Sequence, residues 1–185
     1  MEKVRIKINN EGKIKLLLTF SLLAYSICVS IKKSDIGALS FMLFATIADI
    51  CIMASRGAVT GRKEKEAFNL GIILFTVVHF ICSYIMQTEI IYNIICVAAL
   101  YVVPIAVWLK PPLDKIAYIP YGIALISNTI NAWHFSVIAG IGATLFVISD
   151  AVLAICEERS PKWQILIWAT YVPAQALLLT AILLS

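Results

Sequence analysis

Charged side chains are scarce in this sequence, at 14% of 185 residues, against roughly a quarter in soluble domains. Histidine is scarcer still, with two copies, and every lysine lies near an end or between apolar stretches. Each shortage removes a class of chemistry. A retinal-type pigment needs a lysine inside its last apolar segment, and residues 164–184 have none. A zinc hydrolase built on several histidine ligands cannot be assembled from His79 and His134 alone. There is no Gly-x-Ser-x-Gly elbow and no comparable Ser/His arrangement for a serine hydrolase. The five cysteines, Cys28, Cys51, Cys82, Cys96 and Cys156, show no Cys-x-x-Cys spacing. They read as small apolar packing residues, not as disulfides or metal ligands. Neither a metal nor a cofactor is expected.

What the chain does have is apolar length. It is 61% hydrophobic with a mean hydropathy of +0.92, and its charges fall in short clusters between apolar runs. Taken as spans of about 17 to 23 residues, the runs number seven: 14–31, 36–54, 68–87, 90–109, 116–131, 135–156 and 164–184. Backbone cannot cross lipid unpaired, and the period-2 alternation of a membrane β-barrel is absent, so these are expected to be helices. The expected fold is therefore all-α: a polytopic membrane bundle of about seven helices, with a basic tail at 1–13 and one transmembrane domain at 14–185. No small-x-small cleavage site follows the first span, so its retention is expected. The segment 55–67, with Gly57, Gly61 and mixed charge, reads as a solvated loop; Lys110-Pro111-Pro112-Leu113 and Glu157-Glu158-Arg159-Ser160-Pro161 read as turns.

Lysine and arginine divide unevenly between the two sides. Lys3, Arg5, Lys7, Lys13 and Lys15, then Arg56, Arg62, Lys63 and Lys65, then Lys110 and Lys115, then Arg159 and Lys162 place 13 on one side. The other side has two, Lys32 and Lys33. The positive-inside rule then makes the N-terminus cytoplasmic and the C-terminus external. The net charge of +4 reflects this topology and gives no sign of nucleic-acid binding. Trp108 and Trp163 at inner boundaries and Trp133 at an outer one fit an interfacial aromatic belt.

Two aspartates stand inside apolar runs. Asp49 lies seven residues before Arg56 and Asp150 seven before Glu157, which puts each roughly 10 Å inside its span. A carboxylate in hydrocarbon costs several kcal/mol and is rare unless it has a role. Aligning the two also places Ile47 on Ile148 and Ala48 on Ser149, a short parallel echo. Other polar residues recur at helical spacing: Asn69, Thr76, His79 and Ser83; Tyr118, Tyr121 and Asn128; Gln164, Trp168, Tyr171 and Gln175. Most of these suit interhelical hydrogen bonds; His79 is also a titratable ring deep in a span.

Four blocks stand in order along the chain: Phe44-x4-Asp49-x3-Met53; Phe68-x2-Gly71-x3-Phe75-x3-His79-x4-Tyr84; Gly142-Ala143-x2-Phe146-x2-Ser149-Asp150-x2-Leu153-Ala154; and Tyr171-x3-Gln175. Together they resemble the YhhN-like lysoplasmalogenase family over residues 36–185. Members usually carry Gly where this chain has Ala48, and an additional N-terminal span that is expected to be missing here. The resemblance implies an integral protein of the bacterial inner membrane that hydrolyses the vinyl ether bond of a lysoplasmalogen. Its partners would be membrane lipid and a lysophospholipid with a vinyl ether chain, and its products a fatty aldehyde and a glycerophospho-base. Asp49 and Asp150 would then be catalytic, with His79, Tyr84, Ser149, Tyr171 and Gln175 binding or orienting substrate or water. Vinyl ethers hydrolyse through an oxocarbenium ion, as glycosides do between an acid and a carboxylate. Either aspartate can be the acid.

Two other classes use similar features. Intramembrane carboxylates also mark the ion path of a proton-coupled carrier. Small sugar carriers show a Pro-Gln pair, whereas here Ala174 separates Pro173 from Gln175. A non-catalytic lipid-binding protein is the third.

Overall fold

The computed structural model describes residues 10–33, 36–57, 62–86, 118–155 and 161–184. They form six helices: α1 (Asn10–Lys33), α2 (Ile36–Gly57), α3 (Arg62–Ile85), α4 (Tyr118–Phe135), α5 (Val137–Ile155) and α6 (Pro161–Leu184). Among the described residues there is no strand. Three segments, Ile36–Ser55, Glu64–Ile85 and Trp163–Leu184, are long and apolar enough to cross a membrane; Leu17–Ile31 and Val137–Leu153 are shorter apolar helices. The expected span at 90–109, the turn at 110–113, most of the turn at 157–161, Trp108, Cys96 and Cys156 lie outside the described residues.

Two expectations change. The loop expected at 55–67 is shorter, because α2 continues to Gly57 and α3 already begins at Arg62. Arg62-Lys63-Glu64-Lys65-Glu66-Ala67 is polar but consists of strong helix formers, and Glu64 in the first turn suits the helix dipole. Likewise α4 runs on past residue 131 to Phe135, and Ser136 alone separates it from α5. Ser136 makes that break possible: its Oγ accepts the Ala139 N–H at 3.1 Å, capping α5. Trp133 then folds back over the start of α5. Its Nε1 donates to Thr144 Oγ1 at 3.1 Å, and a Cβ added at Gly140 would fall 2.4 Å from its ring.

The helices close a ring in the order α2, α3, α4, α5, α6 and back to α2, with α1 laid against α2 and α6. Two further glycines allow neighbouring helices to approach closely. A Cβ at Gly71 would meet Ile52 Cδ1 at 2.6 Å and the Ala48 carbonyl at 3.3 Å, so bare backbone lets α3 press against α2 beside Asp49. A Cβ at Gly142 would meet Leu177 Cβ at 3.0 Å and the Ala174 carbonyl at 3.2 Å, which brings α5 against α6. Hydrogen bonds pin further pairs: Ser26 Oγ to the Ala38 carbonyl at 3.0 Å, and Ser149 Oγ to the Ile167 carbonyl at 3.3 Å.

The distribution of side chains is inverted relative to a water-soluble bundle. Leu17, Ile31, Ile36, Ile73, Ile141, Ile165 and Leu184 face outward, while Thr19, Asp49, His79, Asn128, Asn131 and Gln175 are buried. An apolar exterior around a polar interior is consistent with a membrane protein.

Candidate active site

The interior polar residues converge because each sits on the inward face of its helix. Asp49, on α2, is fully buried. Its Oδ2 accepts the Tyr171 hydroxyl of α6 at 2.8 Å and the Thr19 hydroxyl of α1 at 3.2 Å. One turn along α6, at the i+4 spacing that stacks side chains on one face, Gln175 Nε2 donates to the same Tyr171 oxygen. Tyr171 thus relays between the amide and the carboxylate. Pro173 lies between them in sequence but faces outward, leaving the inward face of α6 to Tyr171 and Gln175.

Asp150, on α5, is held in parallel fashion: the Tyr121 hydroxyl of α4 donates to its Oδ2. Between the two tyrosine–aspartate pairs lies a cluster of rings. Phe146 stands edge-on to Tyr171 at 5.2 Å between centroids and to His79 at 4.8 Å. His79 in turn approaches Tyr121 at 5.6 Å, and Phe75 closes the cluster against Phe146 at 5.8 Å. Such edge-to-face pairs contribute about 0.5–1.5 kcal/mol each beyond burial and fix the rings rigidly. The two carboxylates are therefore joined by one continuous run of contacts, from Asp49 through Tyr171, Phe146, His79 and Tyr121 to Asp150. Asn128 Nδ2 lies 3.2 Å from His79 Nδ1.

The structure thus gathers Asp49, Asp150, His79, Tyr171 and Gln175. Ser149 turns instead to the α6 backbone, where it joins two helices. Tyr84 is 74% exposed and stands apart from the group; five residues beyond His79, it is rotated by roughly 140° around the helix. Thr76 bonds the Ile72 carbonyl of its own helix. Two members of the site were not singled out by the sequence. Thr19 had no signal, since a threonine in an apolar run is unremarked. Tyr121 carried one, its place on a polar stripe with Asn128. Among the described residues no three His, Cys, Asp or Glu side chains are grouped to hold a metal ion.

Two carboxylates, each gripped by a phenol and facing a wall of aromatic rings, can exchange protons with an uncharged apolar group and shelter a cation formed from it. No curated protein and no solved structure matches the chain. The YhhN family model matches residues 13–182, nearly all of the sequence and every element of this site. The chain belongs to the YhhN family.

Proposed function

We propose that this protein is an ether hydrolase of the bacterial inner membrane, with seven spans and a cytoplasmic N-terminus, that cleaves the vinyl ether bond of lysoplasmalogens. The observation that carries the reading is the pairing of two inward carboxylates, Asp49 on Tyr171 and Asp150 on Tyr121, across an aromatic interior. The 13-to-two division of Lys and Arg supports the orientation, and puts basic connections on the side where an anionic headgroup would rest.

The chemistry follows from the substrate. A vinyl ether is protonated at the alkene carbon remote from oxygen, which leaves an oxocarbenium ion at the carbon bearing the ether. One aspartate, in its acid form, delivers that proton. The other, as carboxylate, takes a proton from water as the water oxygen bonds to the cationic carbon. The resulting hemiacetal collapses: its hydroxyl loses a proton to an aspartate, the bond to the glycerol oxygen breaks, and that oxygen is protonated. One water is consumed, an aldehyde and an alcohol are formed, and both carboxyl groups return to their starting states. The ring walls of Phe75 and Phe146 favour the cation by cation–π attraction. Tyr171, Thr19 and Gln175 hold Asp49 in place through this cycle, as Tyr121 holds Asp150.

The test is to incubate the purified protein with a defined 1-alkenyl lysophospholipid and with its saturated-ether counterpart. Aldehyde released from the vinyl ether alone supports the hydrolase. Solute flux in proteoliposomes with no lipid turnover would replace it with a carrier.

A further inference from the structure

His79 is 1% exposed, and its two ring nitrogens are treated differently by the fold. Nδ1 faces Asn128 Nδ2 at 3.2 Å. If Nδ2 donates across this contact, Nδ1 offers its lone pair and the ring proton of a neutral imidazole resides on Nε2. Nε2 has no hydrogen-bond partner among the described residues. One turn further along α3, Ser83 is 2% exposed and its Oγ is in the same condition, as is Asn128 Oδ1 across the seam on α4.

Buried polar atoms left unpaired cost about 1–3 kcal/mol each and are few in native proteins outside functional sites. His79 and Ser83 share one face of α3 at i+4 spacing, and Asn128 meets His79 across the α3–α4 seam, so the three form a pattern. This histidine spends Nδ1 on Asn128 and leaves Nε2 unpaired, in a ring that packs against Phe146 and against Tyr121, whose hydroxyl holds Asp150. Charge narrows the ligand further. No lysine or arginine is among the buried residues described, so none of these pairs with a phosphate. A neutral N–H donor, a hydroxyl and an amide oxygen suit an uncharged oxygen.

We propose that the α3–α4 seam binds an uncharged oxygen, and that Asn128 is a positioning residue that locks His79 in the neutral tautomer with Nε2–H as the donor. The oxygen is a glycerol oxygen of a bound lysolipid or the water that attacks it. That pairing of sources rests on the hydrolase reading; the tautomer and the donor do not.

The experiment is nitrogen-15 NMR of the full chain, labelled at histidine, in phospholipid nanodiscs. His134 is the only other histidine in the sequence, and the His79→Gln variant assigns the signals. His79 is expected to show an unprotonated Nδ1 and a proton-bearing Nε2. Adding a saturated 1-O-alkyl lysophospholipid, which cannot be hydrolysed as a vinyl ether, should then shift Nε2 more than Nδ1 if the oxygen is the lipid's. A cross-peak between the Nε2 proton and water, with no lipid-induced shift, identifies water as the oxygen. Asn128→Asp, whose carboxylate accepts from Nδ1–H, should move the proton to Nδ1, abolish either Nε2 response, and lower kcat/KM about tenfold, the equivalent of one hydrogen bond. A proton found on Nδ1 or on both nitrogens of the unmutated protein overturns the proposal, as does an Nε2–H that responds to neither lipid nor water. These signals are read without turnover. Failure of hydrolysis with the shift intact would therefore remove the hydrolase reading and leave the oxygen site standing.

Discussion

Replacing Tyr171 by Phe deletes one oxygen from the centre of the site and leaves the ring where it is, edge-on to Phe146 at 5.2 Å and to Phe75 at 6.1 Å. The oxygen has two partners. It donates to Asp49 Oδ2 at 2.8 Å and accepts from Gln175 Nε2, all within a region that is 4% exposed or less. Losing the bond to the carboxylate costs about 1.5–3 kcal/mol, and stranding the Gln175 amide about 1–3 kcal/mol. Because the two share one atom they do not simply add; with Thr19 still holding Oδ2 at 3.2 Å, a total of about 3 kcal/mol is expected. For a chain of this size that lowers the melting temperature by about 6–12 °C. If about 2 kcal/mol of it is also withdrawn from Asp49 in the transition state, kcat falls about 30-fold. Thermal melting in detergent and aldehyde release from a 1-alkenyl lysophospholipid read the two effects separately. The double variant Tyr171→Phe with Gln175→Met separates them further. With no stranded amide it should regain stability, since removing both partners is cheaper than removing one, but it should regain no turnover. A Tyr171→Phe protein that melts and turns over like the wild type would refute the assignment of this hydroxyl to Asp49.

Three other outcomes are expected. Gly71→Ala puts a methyl 2.6 Å from Ile52 Cδ1, 2.7 Å from Ile52 Cγ1 and 3.3 Å from the Ala48 carbonyl; it should destabilise by about 1–3 kcal/mol, and less in an Ile52→Ala background, where both Ile52 atoms are gone, as read by the change in melting temperature. A topology reporter fused after Ser185 should read out as external and one inserted near Gly61 as cytoplasmic, the same side for both being the result against seven spans. Hydrolysis in heavy water should place one deuterium on the carbon next to the aldehyde, as seen by mass spectrometry at early times. An unlabelled aldehyde would exclude protonation at carbon.

Apolar length made the helices legible, and its limits explain what the sequence concealed. Hydropathy marks the part of a helix able to enter lipid, so it stopped at Phe68 where the helix itself begins at Arg62 among charged helix formers. The same bias hid the last turn of α4 before Ser136. Asp49 and Asp150 were visible because ionisable groups inside apolar runs are costly, and Tyr171 with Gln175 because four residues is one helical turn. Thr19 reaches Asp49 from another helix, thirty positions away; no local spacing encodes such a contact. Asn128 and His79 each stood on a recognisable polar stripe, but which stripe faces which is a matter of helix packing. Tyr84 shows the converse: a place in a sequence block does not set which way a residue faces, and the turn of the helix carries it to the exterior.

The central claim is that Asp49 and Asp150 act together as acid and base, and turnover of the two Asn variants tests it most directly. Asn preserves shape and hydrogen-bonding capacity but can neither deliver nor take the proton, and loss of one acid–base partner costs about 10²–10⁴-fold. Asp49→Asn and Asp150→Asn should each lose that much aldehyde release while expressing and melting normally. The double variant should be little worse than either, because groups acting as a unit are strongly non-additive. Near-full activity in either single variant, or unfolding of both, would contradict the account and make the aspartates structural anchors.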